Sequence, residues 1–456
     1  MTTYYVGSGG NDGNAGTSWA ARKETLTGAE DIPVSAGDTV YVGPGTYRET
    51  LTCDVSGSSG NPITYIGDVT GENTDGVGGV VRITGSDDDQ TATRNNCVDV
   101  NNKDYRTFRG FVFEMSADTA VVADACENLI VEDCVFSCNA KGVYLNVVNS
   151  SANTVRRCLF VGHKQKCVAM WEGSLQAGDP GHEVENCVFL GLREWQGGVN
   201  LQNSGGVDVN ACLFFGTVYG VRSVHTGAAT VNVTNSVFCG LTNGILANTV
   251  GDIVEDYNTF WAVNTSRQNT NTGANSQTYP PLFKPPLLLD GYKLPHWMFE
   301  LADYSPLAHL TGSSLPGDDL HGMARPTTGS KQSWGPLQEV ALEKDTTVVH
   351  EGSASARLDD AGRHQVYVPV TGEPITVRVR CYREADYAGT NPQMVIRQPG
   401  QADRTTTDAG SASAWNELSD TFTPASDPEW IVVELVSDNT ASSGSHAAYF
   451  DNLEVS

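Results

Sequence analysis

Between Phe160 and Phe189 the chain gathers side chains that can carry charge or bind a ligand: His163, Lys164, Lys166, Trp171, Glu172 and His182. Arg193, Glu194 and Trp195 follow at once, and Tyr219, Arg222 and His225 come after the next phenylalanine, Phe214. Lys164 and Arg193 each stand four residues beyond a phenylalanine, so if those phenylalanines align in space the two cations share one anion. β-Elimination from a uronate needs such a pair: one cation neutralises the carboxylate, and a second group, partly deprotonated by its neighbour's charge, takes the C5 proton. Glu172 and Glu194 are the carboxylates a glycoside hydrolysis would use, provided they flank the sugar about 5–10 Å apart. Trp171, Trp195, Tyr219, Arg222 and His225 supply stacking and polar contacts for sugar rings. The plainer reading is a solvated charge patch balanced by Glu172 and Glu194, with both tryptophans half-buried in corners.

The positioning elements are repeats. FRGFVF (108–113), VEDCVF (131–136), VRRCLF (155–160), VENCVF (184–189), VNACLF (209–214), VTNSVF (233–238) and VEDYNTF (254–260) end in phenylalanines spaced by 23, 24, 29, 25, 24 and 22 residues. A second motif follows several of them: GVYL (142–145), CVAM (167–170), GVNL (198–201), GVRS (220–223) and GILA (244–247). A unit of this length holds at least two short strands and cannot bury its own inward face, so it stacks on copies of itself. Parallel stacking at about 4.8 Å per rung then predicts columns of like side chains. One column is the phenylalanines; another is Cys134, Cys158, Cys187 and Cys212, followed by Ser236. With Cys and Phe two apart, both are expected on the inward face of one strand. Parallel Cβ vectors disfavour disulfides, so buried free thiols are expected.

Composition agrees. The 28 Lys and Arg against 54 Asp and Glu leave a formal charge of −26, which excludes a nucleic-acid binder relying on clustered basic residues. Apolar residues are 39%, charged residues 18%, and there are 48 glycines, as in a turn-rich β protein. The opening MTTYYVGSGGNDGNAG has neither a basic nor an apolar export region, and no run nears the ~18 apolar residues of a membrane helix. Cytoplasmic synthesis without a signal peptide, and no membrane insertion, are therefore expected. Asp87, Asp88 and Asp89 read as a solvated turn.

These motifs resemble the right-handed parallel β-helix superfamily of pectate-lyase-like proteins, over roughly residues 4–338. YYVGSGGNDGNAGTSW (4–19) resembles its opening segment, GDTVYVGPGTYRETL (37–51) and PITYIGD (62–68) its first rungs, and PPLF (280–283), YSPLAHL (304–310) and DLHGMARPTTG (319–329) its closing segment. The Lys164 and Arg193 pair is similar to the Lys and Arg of some β-helix alginate and chondroitin lyases. From residue 339 the pattern changes to short strands parted by Gly, Pro, Asp and Ser. HEGSASARL (350–358), WNELSDTFTP (415–424) and AYFDNLEV (448–455) resemble jelly-roll carbohydrate-binding modules, a resemblance that implies a structural calcium at Asp451 and Glu343.

The expected fold is all-β: a right-handed parallel β-helix with its opening segment over 1–281, an irregular closing segment over 282–338, and a jelly-roll β-sandwich over 339–456. The favoured function is a structural protein of a virion or cell surface, such as a phage spike, fibre or capsid decoration. It would present its jelly roll to a host-surface glycan or receptor, contact other virion proteins, form a homotrimer and sit at the virion surface. The alternative is a secreted polysaccharide lyase or glycoside hydrolase acting on an acidic polysaccharide.

Overall fold

The computed structural model describes residues 1–281 apart from 31–33, 147–150, 174–180, 192–196, 205, 225–230 and 251; residues 315–320 and 335; and residues 343–455 apart from 346–347, 349, 351–354, 360, 371, 399–400, 426–429 and 440–446. Two compact units result. One holds Met1–Pro281 with Gly312–Arg325 and Ser333–Leu337, and the other is built on Gln338–Ser456.

The first unit is a right-handed parallel β-helix. Each turn contributes three strands rather than the two evident in the repeat; one turn runs Ile130–Glu132, Val135–Ser137, Lys141–Asn146. Successive turns pair in parallel, building among the described residues sheets of ten, nine and nine strands, here termed the first, second and third.

The phenylalanines of the second sheet are register partners rung after rung. From Phe136 through Phe160, Phe189, Phe214 and Phe238 to Phe260 the ring centroids are 4.7–5.0 Å apart and the planes within 9° of parallel. Small residues of the third sheet leave room for this column. A Cβ on Gly198, Gly220 or Gly244 would come within 2.4–2.8 Å of the phenylalanine ring of the next rung.

The cysteine column is present, but not on the phenylalanine strand. Cys134, Cys158, Cys187 and Cys212 each follow a left-handed residue at the corner between the first and second sheets: Asp133 (φ 54°), Arg157 (51°), Asn186 (51°) and Ala211 (52°). Such a conformation disfavours side chains, and hydrogen bonds between rungs hold it, as from Arg157 N–H to the Glu185 carbonyl at 3.1 Å. Each thiol donates to the carbonyl two residues earlier, at 3.1, 3.2, 3.2 and 3.3 Å in column order. Ser236 does the same with its hydroxyl at 2.9 Å. None of the eleven cysteines is in a disulfide, and burial pushes the thiol pKa of Cys134, Cys158 and Cys187 well up.

Near the N-terminal end, the short helix Leu26–Glu30 brings Glu30 to a buried ion pair with Arg106 at 2.7 Å, and Tyr65 donates its hydroxyl to the same carboxylate at 2.6 Å. On the first sheet, Glu132 is buried among Arg109, Arg156 and Arg157. Arg157 also reaches Asp318 at 2.8 Å, while the Gly335 N–H donates to the Asn235 carbonyl at 2.7 Å. These described parts of 315–335 thus lie along the flank of the solenoid. The aspartate run forms an ion-paired turn, Asp87 with Arg94 at 2.5 Å and Asp89 with Arg48 at 2.8 Å.

The second unit is an antiparallel β-sandwich. Its five-stranded sheet runs Glu343–Asp345, Ser355–Asp359, Ala447–Val455, Ile375–Arg383, Asn416–Phe422; its four-stranded sheet runs Ala361–Pro369, Trp430–Asn439, Gly389–Arg397, Arg404–Thr407. Strands distant in sequence are neighbours within a sheet, which is jelly-roll pairing. Leu358, Val379, Met394, Ile431, Val433 and Phe450 lie in its core.

Truncating one ring of the column leaves a void that parallel packing cannot close. Phe214→Ala is expected to cost about 3–5 kcal/mol in chemical denaturation. Phe215→Ala, whose ring faces outward and is 40% exposed, is expected to cost less than half as much.

Candidate functional site

The third sheet positions the candidate site on its outer face. Its strands Lys141–Asn146, Lys166–Gly173, Gly197–Ser204 and Tyr219–Val224 are successive rungs. Register places Lys141, Lys166, Gly197 and Tyr219 in one column. Tyr144, Ala169, Asn200 and Arg222 form a second, and Asn146, Trp171, Gln202 and Val224 a third. Val143, Val168, Val199 and Val221, one residue before the second column, lie in the core. Gly142, Cys167, Gly198 and Gly220 before them also face inward, so alternation breaks at that step and leaves the first column outside with the other two.

This face is cationic and aromatic. The Lys166 ammonium lies 5.7 Å from the Trp171 ring, the Lys141 ammonium 5.4 Å from that of Tyr144, and the Arg222 guanidinium 5.8 Å from that of Tyr219. Lys141 is neutralised by Asp118 at 2.6 Å. Lys166 and Arg222, both half-buried, have no carboxylate partner among the described residues. Burial, and then the like charges of Lys141 and Arg222, hold the Lys166 pKa below the usual lysine range. Asn200, 2% exposed, accepts the Tyr219 hydroxyl at 3.3 Å. Burial raises the Tyr219 pKa, with Arg222 opposing it. Two under-compensated cations beside a buried amide and an aromatic rim can take a carboxylate carried on a sugar.

Of the residues singled out in the sequence, Lys166, Trp171, Tyr219 and Arg222 come together here. Lys164 is exposed in the corner before the third sheet, where its N–H donates to the Asn139 carbonyl at 2.9 Å. Arg193, Glu194, Trp195 and His225 lie outside the described residues, as does the Glu172 side chain, and with them the Lys164–Arg193 and Glu172–Glu194 pairs. The sequence places Lys166 in the same region without giving it a role, and it does not single out Asn200. The second motif could have placed both: Lys166 directly precedes CVAM, and Asn200 is the third residue of GVNL.

His163 and His182 are not on this face. His163 is buried 5.9 Å from the Phe160 ring, and His182 is buried with its Nδ1 accepting the Asn153 N–H at 3.3 Å.

On the sandwich, a row of rings runs from Tyr449 to Tyr382 (5.7 Å), Trp415 (5.6 Å) and His350 (5.5 Å), with the Arg357 guanidinium 5.9 Å from Tyr449. Asp451 accepts backbone N–H groups from His350 and Asn452 at 2.9 and 2.8 Å, and the Glu343 side chain is outside the described residues. Among the described residues no three His, Cys, Asp or Glu side chains are arranged to hold a metal ion.

Fold and face together define a right-handed parallel β-helix carrying a jelly-roll sandwich. A family model described as right handed beta helix region matches residues 32–178. A search of the curated proteins finds no match. Among solved structures, XylC in complex with xylose is 12% identical (TM-score 0.46), over 60% of this chain and 66% of its own. Pectate lyase Pel9A is 17% identical (TM-score 0.48), over 74% and 96%. A rhamnogalacturonan lyase is 17% identical (TM-score 0.43), over 61% and 86%.

The buried histidines make stability acid-sensitive. Burial lowers both pKa values to about 4 from 6.5; for His163, backbone groups of Asn139 and Phe136 oppose this in part. The unfolded chain therefore binds more protons between those values. Stability is complete above pH 6.5 and falls as pH drops towards 4, by roughly 3 kcal/mol per histidine. Denaturation midpoints across that window should show the loss, and His163→Asn with His182→Asn should flatten it.

Proposed function

We propose that the outer face of the third sheet binds an acidic polysaccharide and cleaves it by β-elimination, which makes the protein a polysaccharide lyase. The observation that carries this reading is the pair of half-buried cations, Lys166 and Arg222, which have no carboxylate partner among the described residues and stand around the buried amide of Asn200. They lie two rungs apart, about 10 Å along the solenoid axis at strand spacing, within reach of one sugar unit. Arg222 neutralises the uronate carboxylate and so acidifies the C5 proton. Lys166, made easier to deprotonate by burial and by its cationic neighbours, takes that proton. Trp171 offers a face to an adjoining ring. The fold alone would equally serve a virion or cell-surface protein that presents this face to a host glycan.

Incubation with acidic polysaccharides, followed by the ultraviolet absorbance of the unsaturated product, should show turnover that Lys166→Ala and Arg222→Ala each reduce by about 100-fold or more. The rate should rise with pH as Lys166 deprotonates, with a midpoint below the ordinary lysine value of about 10.4. Removing the Arg222 charge lets the Lys166 pKa rise, so in Arg222→Ala the remaining activity should shift to higher pH. Binding without turnover would favour the surface-protein reading, and no binding would overturn both.

A further inference from the structure

We propose that Tyr219 is the catalytic acid of this face and that Gly197 is the residue that positions it, an inference resting on the elimination chemistry above. In the column Lys141, Lys166, Gly197, Tyr219, glycine alone has no side chain, and the tyrosine ring fills the vacant place. A Cβ on Gly197 would stand 2.1 Å from Tyr219 Cζ and 2.4 Å from its hydroxyl oxygen. The ring therefore leans back over the preceding rung, and its hydroxyl lies over Gly197, next in the column to Lys166. The bond to Asn200 Oδ1 at 3.3 Å fixes the hydroxyl on that same rung.

The Lys166 amine takes the C5 proton, and the C5–H pair becomes the C4–C5 double bond. The C4–O4 bond breaks with its electrons on O4, and the Tyr219 proton passes to that oxygen. The lysine ammonium then returns a proton to the phenolate through water, so the net change is one proton moved from C5 to O4. An alkoxide leaving group needs such a donor, and burial favours the protonated phenol of Tyr219 just as it favours the neutral amine of Lys166.

Two substrates separate the roles: an acidic polysaccharide, whose leaving oxygen is an alkoxide, and a 4-O-nitrophenyl uronide, whose leaving group needs no proton. Tyr219→Phe keeps the packed ring and should lower kcat on the polysaccharide by about 100-fold, with KM within about twofold. On the nitrophenyl substrate most of that loss should vanish. Gly197→Ala should show the same leaving-group dependence although it retains the tyrosine, which a merely structural defect would not produce. Wild-type turnover with an unchanged kcat in Tyr219→Phe, or with equal losses on both substrates, would overturn the acid role and leave the lyase reading intact. Equal losses in Gly197→Ala alone would overturn its positioning role. Absence of wild-type turnover on any acidic glycan would overturn both proposals.

Discussion

In-register parallel stacking is the constraint on which the rest of the molecule depends. A strand of three residues, such as Val135–Ser137 or Leu159–Val161, is too short to be stable by itself; its backbone groups are satisfied only by the rungs on either side. Once the hydrogen bonds fix the register, inward residues must stack like on like. The phenylalanine column then gains ring contact at every rung, beyond the area it buries. A one-residue slip would turn those rings out to solvent, so the column and the register each enforce the other.

The same register arranges the outside. A column on the outer face is not selected for packing, so its members differ from rung to rung, and those differences make a site. Where two rungs carry lysine, the next carries glycine and the next tyrosine, the tyrosine is free to fold back over the gap. A solenoid can thus vary one surface position at a time while its core stays uniform, which suits a fold that hosts many chemistries.

The parts of the fold that were legible in the sequence are those where packing demands repetition. Phe136, Phe160, Phe189 and Phe214 form the single column their spacing implied, and the Val of the second motif forms another. The third strand per turn was harder to see because the corners carry no shared residue type. Asp133, Arg157, Asn186, Ala211, Asn235 and Tyr257 all adopt the left-handed conformation, imposed by rung hydrogen bonds rather than by side-chain chemistry. The site was half legible. Trp171, Tyr219, Arg222 and Lys166 of the proposed face are all among the residues the sequence singles out, but counting from the phenylalanine leads to Lys164 rather than Lys166 because that count crosses a corner of varying length. The third sheet begins five residues after Phe136, six after Phe160, eight after Phe189 and five after Phe214. Counting from GVYL and its counterparts, which lie beyond the corner, leads to Lys166 and Asn200.

An acidic protein that binds a polyanion must overcome its own field. With a formal charge of −26, the surface as a whole repels an acidic chain, and long-range steering cannot assist binding. Screening decides the balance: at physiological salt, exposed charges more than about 8 Å away are largely damped, whereas half-buried cations at contact distance are damped much less. Lys166 and Arg222 sit on the side of that balance that survives screening, and the aromatic rim of Trp171 and Tyr219 adds contact that salt does not weaken. Binding at this face should therefore strengthen when modest salt is first added, as the general repulsion fades, and weaken only when the ions compete for the two cations themselves. A face that relied on broad positive potential would lose affinity from the first increment of salt.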